Sequence, residues 1–574
     1  MTVPPWLRAL APFSFALALA TSAEAFPGFF AAKKEPAPKA HSTHVIVMKK
    51  GNATAVSVMP DYEGPLEPFA MVVLVPSDVT NERVTTLKRE FVDRVDQISA
   101  PRFHEFFEQD PCDPGPVEQE WERNLKVEGS GFLGEAPVVP TKKVAKELFL
   151  DVTAKQKEGE YKTTVIPVPE VIGWLRDKGY VPPKGAELAL APYASMKAFV
   201  GEVDPNRIEL VGGERAQLSP IRFWTEQPYD TIPSRLGLLN APDKQELVIY
   251  VIDPEQRYEV KNYKTIFPPT NINVDFIVKE RMGEFYNALY DIILSKQPGT
   301  FLSEYAWPSD GCGQPCATEP LMIHELLSLG GDVFEQSVPD EEKNPKPPEL
   351  TKEEKDAFKE SLKEFKPKER KEREEVAKKE RETVAARKAL LERHKYLLSR
   401  SHYRYDAKGL AQDPKIGPAG NVEGGHWIPK GQKMEISTEV KPSSKSKLQT
   451  RYLNFHTWVP VINCPNPDRY RWGKPGRDYR VLRKIWIAED LTRKSRTQIK
   501  PAAVVKTPIP TLGLATAPLA PTDAGADGGA DAAASKGKCG CRTPGSDSSG
   551  SSAFLALLPL AAALLRRKTR LGQK

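Results

Sequence analysis

The chain is short of every common catalytic signature. It has no G-x-S-x-G elbow, no P-loop and no H-E-x-x-H helix, so the usual hydrolase, nucleotide and zinc-protease readings lack their residues. It is short of long apolar runs near its end: residues 553–565 are apolar for 13 positions, about 20 Å as a helix against a hydrocarbon core of about 30 Å. Cysteine is sparse. Of six in the chain, Cys112, Cys312, Cys316 and Cys464 precede the tail, and four cysteines leave three pairings open. A genuine basic excess is also missing. The formal net charge is +6, but Arg542, Arg566, Arg567, Lys568, Arg570 and Lys574 outweigh Asp547 by five, while Arg8 and Glu24 cancel. The body of the chain is near +1, which removes the main support for nucleic-acid binding.

What is present at the two ends speaks of location. Arg8 is the only basic residue before an apolar run over residues 9–20, followed by Ala23-Glu24-Ala25. Basic start, apolar middle and A-x-A site predict a cleaved secretory signal over 1–25 and a mature chain from about Phe26. The run is short for an N-terminal membrane anchor. At the other end come Cys539-Gly540-Cys541, a Ser/Gly spacer, the apolar residues 553–565 and the cluster Arg566, Arg567, Lys568 and Arg570. The basic end favours the cytoplasmic side, and the order is that of a processed C-terminal anchor signal. The tail resembles the MYXO-CTERM sorting signal of myxobacterial surface proteins. That resemblance implies cleavage by a dedicated intramembrane protease and an anchor at Cys539 or Cys541; a retained membrane helix is the alternative.

Between the ends, 53 prolines mark a loop-rich chain. "THVIVM" (43–48), "ATAVSVM" (53–59) and "FAMVVLV" (69–75) read as strands, the first two joined by a hairpin turn at Lys49-Lys50-Gly51-Asn52. Asn81 is expected to cap a helix on which Val84, Leu87, Phe91, Val95 and Ile98 recur, ending before Pro101. Residues 169–178 form a shorter helix with Pro at its start and Gly179 at its end, and "IRFW" (221–224) and "ELVIYVI" (246–252) are further strands. The fold class is α+β with mainly antiparallel strands and packed helices. From 353 to 400, charged residues with Glu369/Arg373, Glu374/Lys378 and Glu375/Lys379 at i, i+4 spacing predict a long solvated helix. Ala377, Val384, Leu391 and Leu398 recur every seven residues, but Glu380, Arg387 and His394 follow three later, unlike a coiled-coil core. That helix either packs a thin edge on its own domain or binds a protein partner.

These elements divide the chain into a signal (1–25), an α+β domain (26–340), a charged helical segment (341–400), the rest of that domain (401–500), a flexible Pro/Ala/Gly-rich linker (501–538) and the sorting tail (539–574). The stretches "DYEGPLEPFAMVVLVP" (61–76), "ISAPRFHEFFEQDPC" (98–112), "WLRDKGY" (174–180), "LSPIRF" (218–223), "LGLLN" (236–240), "RYEVKNY" (257–263), "YAW" (305–307) and "HYRYD" (402–406) resemble, in order over nearly the whole chain, the DUF2330 family of exported bacterial proteins. The family implies export and often a surface anchor, and supplies no activity, cofactor or catalytic residue. Its members commonly carry a cysteine just after the signal, where this chain has Phe26-Pro27-Gly28; one of the four remaining cysteines is then open to being unpaired.

Three constellations invite chemistry. Cys312 and Cys316, with His324 nearby, fit a small disulfide loop in an oxidising compartment, with zinc or redox use as alternatives. His104 with Glu105, and His402 with Asp406, could be acid/base pairs, although the surrounding Phe103, Phe106, Phe107, Tyr403 and Tyr405 favour packing. His456 reads as a packed histidine on a strand. The sequence therefore points to an exported protein at the cell envelope or outer surface, membrane-anchored through its tail and dependent on export and processing machinery. It is a binding or structural module without a cofactor; a surface hydrolase using His104 or His402 and an envelope redox or metal protein are the alternatives.

Overall fold

The computed structural model of the chain describes residues 26–34, 36–112, 161–208, 210–212, 215–240, 245–309, 320–405, 409–425, 427–430, 433–473 and 499–506. The signal (1–25), Cys312, Cys316, Asp406, the linker beyond 506, Cys539, Cys541 and residues 553–565 lie outside the described residues.

In chain order the principal elements are β1 (Gly28–Ala32), β2 (Ser42–Lys50), β3 (Ala53–Glu63), β4 (Phe69–Val75), β5 (Val84–Thr86), α1 (Arg89–Ser99), β6 (Arg102–Glu108), β7 (Tyr161–Pro167), α2 (Val171–Asp177), β8 (Lys197–Val203), β9 (Ile221–Thr225), β10 (Gln245–Asp253), α3 (Met282–Lys296), β11 (Thr300–Pro308), α4 (Lys352–Leu362), α5 (Pro367–Arg393), β12 (Leu397–Tyr405) and β13 (Arg451–His456). The class is α+β. Residues 338–393, with α4 and α5, form one compact unit, and the other described residues form a second.

The larger unit is built on a mixed sheet whose central order is β11-β12-β10-β2-β3-β9-β5. Every neighbour in that order is antiparallel except β10 with β2. A second sheet, β1-β4-β8-β7, is antiparallel throughout. Strand β4 explains how the two stack: Phe69, Met71, Val73 and Val75 join Val45, Val47, Ile249 and Phe301 of the large sheet in one core. Its alternate residues Ala70, Val72 and Leu74 join Val171, Ile172 and Leu175 of α2 in another. All seven β4 residues are buried, which is why it reads as an unbroken apolar run. The far face of the large sheet, with Ile46, Val248, Ile252 and Leu302, packs under α1 and α3 through Val92, Val95, Phe285 and Leu289. Full burial of such side chains favours the folded chain by about 1.5–3 kcal/mol each.

A third, smaller sheet sets β13 parallel to β6, flanked by the short strands Ile272–Asn273 and Trp472–Gly473. Beyond it Cys112 and Cys464 form a disulfide across 352 residues, with Cα atoms 5.5 Å apart.

Two expectations change. The helix expected from Asn81 starts at Arg89, because the β-branched Val84, Thr85 and Thr86 pair with β9 as β5 instead. Asn81 does not cap it; its side chain accepts from the Val165 N–H. The long charged helix is two helices that stop at Arg393, α5 opening on Pro367, where proline suits a first turn. Residues 397–400, expected to be helical, are strand, and Leu398 is fully buried in the sheet core. The expected hairpin is present, with Gly51 at φ 58° in its turn.

Candidate functional site

Strand β12, "LLSRSHYRY", alternates. Ser399, Ser401, Tyr403 and Tyr405 occupy one face, the last two in the core between the sheets; Arg400, His402 and Arg404 occupy the face under α1 and α3. On the neighbouring strand Glu246 lies opposite Arg404 and Tyr250 opposite Arg400. On the other side the register of β11 shifts between Ser303 and Tyr305, and the extra residue, Glu304, is aimed into the same layer, a use to which β-bulges are often put.

The result is a ladder of charge inside the protein. Asp96 of α1 accepts from Tyr250 Oη at 2.5 Å and from Arg400 Nη1. His44 Nδ1 lies 2.9 Å from that Tyr250 hydroxyl. Arg400 Nε donates to Glu304 Oε2 at 2.6 Å, and Tyr286 of α3 donates to Oε1. His402 bridges the two carboxylates, with Nδ1 3.0 Å from Glu304 and Nε2 2.5 Å from Glu246. Glu246 also accepts from Arg404, which reaches Asp291 at 2.6 Å and Asn287 at the rim. Arg400 and His402 are 0 % exposed and Asp96 and Glu304 no more than 1 %.

Burial alone would discharge these groups; their neighbours prevent it. Burial opposes the imidazolium of His402, but Glu304 and Glu246 outweigh it and raise its pKa to about 9. Burial likewise opposes both carboxylates, and Arg404 and His402 at Glu246, or His402 and Arg400 at Glu304, hold them below the ordinary range. His44 has no such company: burial lowers it to about 4 against the pull of Asp96, so it is neutral. Three cations, Arg400, His402 and Arg404, thus face the buried carboxylates of Asp96, Glu304 and Glu246, and Asp291 meets Arg404 at the more exposed rim. An imidazolium clamped between two carboxylates with no exposed atom cannot take a proton from a substrate.

A second cluster meets solvent. His456 of β13 sets Nε2 2.9 Å from Glu105 of β6, whose other oxygen receives Lys279 Nζ at 2.8 Å. The imidazole stacks on Phe107 at 4.1 Å and is met edge-on by Phe276 at 4.5 Å. Its side chain is 24 % exposed. Nearby, Arg469 and the Tyr470 and Trp458 N–H groups hold Glu108 down to about 2, pinning the loop that carries Cys464.

The expected pairings are therefore redrawn. Consecutive strand residues face opposite ways, so His104 does not pair with Glu105; its ring packs edge-on to Phe106 at 4.6 Å while Glu105 takes His456. His402 is engaged by Glu304 and Glu246, with Asp406 outside the described residues. Cys312 and Cys316 also lie outside them, as do Cys539 and Cys541. His324 lies at 6.4 Å from the Phe91 ring. Among the described residues no group of three or more His, Cys, Asp and Glu is arranged to hold a metal, and no helix is long and apolar enough to cross a membrane. Sequence reasoning missed Asp96, Glu246, Glu304 and Arg400; the period-two cations of 400–404 were the available signal.

No curated protein and no solved structure matches the chain. A family described as uncharacterized protein conserved in bacteria matches residues 21–351. The match ends before β12 and β13, yet both belong to the same compact unit and β12 lies at the centre of its large sheet. The matched span is more than half of the chain, and the protein therefore belongs to the DUF2330 family.

Proposed function

We propose that this is an exported protein, processed at 1–25 and held at the cell envelope or outer surface through its C-terminal tail at Cys539 or Cys541, where it serves as a binding or structural module rather than an enzyme. The observation that carries the reading is the disulfide Cys112–Cys464. A bridge between segments so distant in sequence fits a protein that folds in an oxidising compartment, in agreement with the signal-like start and the MYXO-CTERM-like end. The sealed ladder supports the second half: its titratable groups serve the fold. In this reading the linker beyond residue 506 sets the domain away from the membrane, Cys312 and Cys316 close a small loop, and the helical unit 338–393 is the face offered to a protein partner.

The test is the intact mass of the protein from the native envelope fraction, with and without reduction. The reading expects a chain starting near Phe26 and ending near Cys539 to Cys541 with a lipid adduct, and a gain of about two daltons per disulfide on reduction. A chain running from Met1 to Lys574 with no gain on reduction contradicts it.

A second reading, a surface hydrolase, is favoured by one observation: the Glu105–His456 pair is a carboxylate-oriented imidazole that solvent reaches. Loss of a measured esterase or peptidase activity in His456→Gln, with the fold intact, would establish it; absence of activity in the wild-type chain would remove it.

A further inference from the structure

Exposed apolar residues gather at one end of the third sheet. The strands Ile272–Asn273, β13 and β6 run parallel, so the chain leaves all three on the same side. Of the eleven large apolar residues that are exposed among the described residues, five stand in those departing segments: Phe276 and Ile277 after the first strand, and Val459, Val461 and Tyr470 after β13. Single exposed apolar residues are ordinary, whereas a gathering at one edge marks a contact surface. Val459 and Val461 are 89 % and 82 % exposed. The His456 ring joins the two segments, meeting the Phe276 ring at 4.5 Å.

The segment over 457–471 is fixed at its root and apolar at its tip. Glu108 accepts from the Trp458 and Tyr470 N–H groups at 2.8 and 2.7 Å and from Arg469. The Asp468 N–H donates to the Pro111 carbonyl at 2.9 Å, and the Cys112–Cys464 bridge ties the segment to the chain beyond β6. Tyr470 takes φ 65°, a left-handed conformation that a bulky residue adopts only when its surroundings impose it, and its ring side is 63 % exposed. Side chains ordered in advance lose less entropy on contact.

The last described residue lies against this face. Lys506 sets Nζ 5.3 Å from the centre of the Phe276 ring and 3.9 Å from Asp275. From there roughly 30 residues lead to Cys539, a Pro/Ala/Gly-rich tether with an end-to-end distance of about 30 Å. The bases at the rim are each matched by a carboxylate: Lys279 by Glu105, Lys506 by Asp275 and Arg469 by Glu108. The surface is therefore apolar rather than cationic, and suits a partner that offers hydrocarbon.

We infer that this end of the third sheet, with Phe276, Ile277, Val459, Val461 and Tyr470, rests on the surface of a phospholipid bilayer. The aliphatic tips enter the interface, and Tyr470 stands at headgroup level as interfacial aromatics do. The inference rests on the proposed membrane anchoring for its tether, which keeps the bilayer within reach; the apolar end determines which side of the domain turns to it. Five side chains partition weakly on their own, and the tether raises their effective concentration.

The test supplies the tether chemically, so that it does not depend on whether the cell attaches a lipid. The chain from Phe26 to Cys539 is coupled through Cys539 to a maleimide lipid in phosphatidylcholine vesicles with brominated acyl chains, and an uncoupled Cys539→Ser chain gives the baseline. Tryptophan quenching above that baseline, assigned to Trp458 by its loss in Trp458→Phe, is expected in the wild type. It should fall at least about threefold in the Val459→Asp/Val461→Asp double variant. Leu188→Asp, at an 81 % exposed position outside this face, should be quenched as the wild type is. Salt that shortens the Debye length from about 10 Å to about 3 Å should leave the quenching unchanged. Equal quenching in the double variant and the wild type, quenching abolished by salt, or none at all would overturn the inference. No quenching, with dimers in solution that the double variant disperses, would assign the face to a second copy of the chain. Quenching here beside a native chain that carries no lipid would remove the anchor and keep the docking face.

Discussion

The ladder and α5 are made of the same residues and use them in opposite ways. Helix α5 is rich in Glu, Lys and Arg, with Glu374/Lys378 and Glu375/Lys379 in favourable i, i+4 register, and not one of its 27 residues is buried. Water screens such pairs, and each is worth about 0.3–0.5 kcal/mol. In the ladder the same chemistry is stripped of water. There a charge is tolerated only because its partner is fixed, so the set is strong as a whole and intolerant of losing a member. Exposure decides what a charge is worth; residue type does not.

The sharpest way to break that contrast is Arg400→Met, which strands Asp96 and Glu304 without their shared cation. A loss of about 3–5 kcal/mol is expected from denaturant unfolding; a loss as small as that of a surface swap would put the ladder on a par with α5. Next is His402→Gln. Its pKa rises from 6.5 to about 9 in the folded chain, so the stability it supplies, about 3 kcal/mol by linkage, is complete below 6.5 and disappears as pH climbs through about 9. Unfolding free energies measured between those limits should fall with pH in the wild type and stay flat in the variant. His44 runs the other way: lowered to about 4, it favours the folded state above 6.5 and loses that contribution as pH falls towards 4. His44→Phe should therefore flatten part of the acid limb, and an unchanged limb would mean that His44 is charged in place.

Between the extremes stands His456→Gln, which removes a half-wet partner of Glu105 and should cost about 1 kcal/mol or less. A cost equal to that of Arg400→Met would show that burial is not the deciding variable. The smallest effect belongs to Glu374→Gln on α5, a few tenths of a kcal/mol in thermal unfolding, shrinking with added salt.

How much of this was legible follows the same line. The buried strands β2, β3, β4, β9 and β10 announce themselves as apolar or β-branched runs. Strand β12 was hidden because it follows a 27-residue charged helix with no glycine or proline between Arg393 and Leu397, so its cations merged with the helix pattern. The ladder was illegible for a different reason: Asp96, Glu246, Glu304 and Arg400 are far apart in the chain and meet only through strand order. Glu304 depends on a bulge that no pattern of polarity marks. The packing of His456 against aromatics is readable from its strand, whereas sequence adjacency points Glu105 to His104 rather than to its actual partner His456. The pairing of Cys112 with Cys464 likewise needed the third sheet to bring the two loops together.

The central claim is that the ladder around His402 is a buried, mutually paired part of the fold, and an NMR titration of the His402 imidazole, assigned by its loss in His402→Gln, tests it most directly. The account predicts an imidazolium throughout the neutral range that releases its proton only near pH 9. A ring that titrates near 6.5, as an exposed histidine does, would show that solvent reaches it and would return His402 to the catalytic candidates.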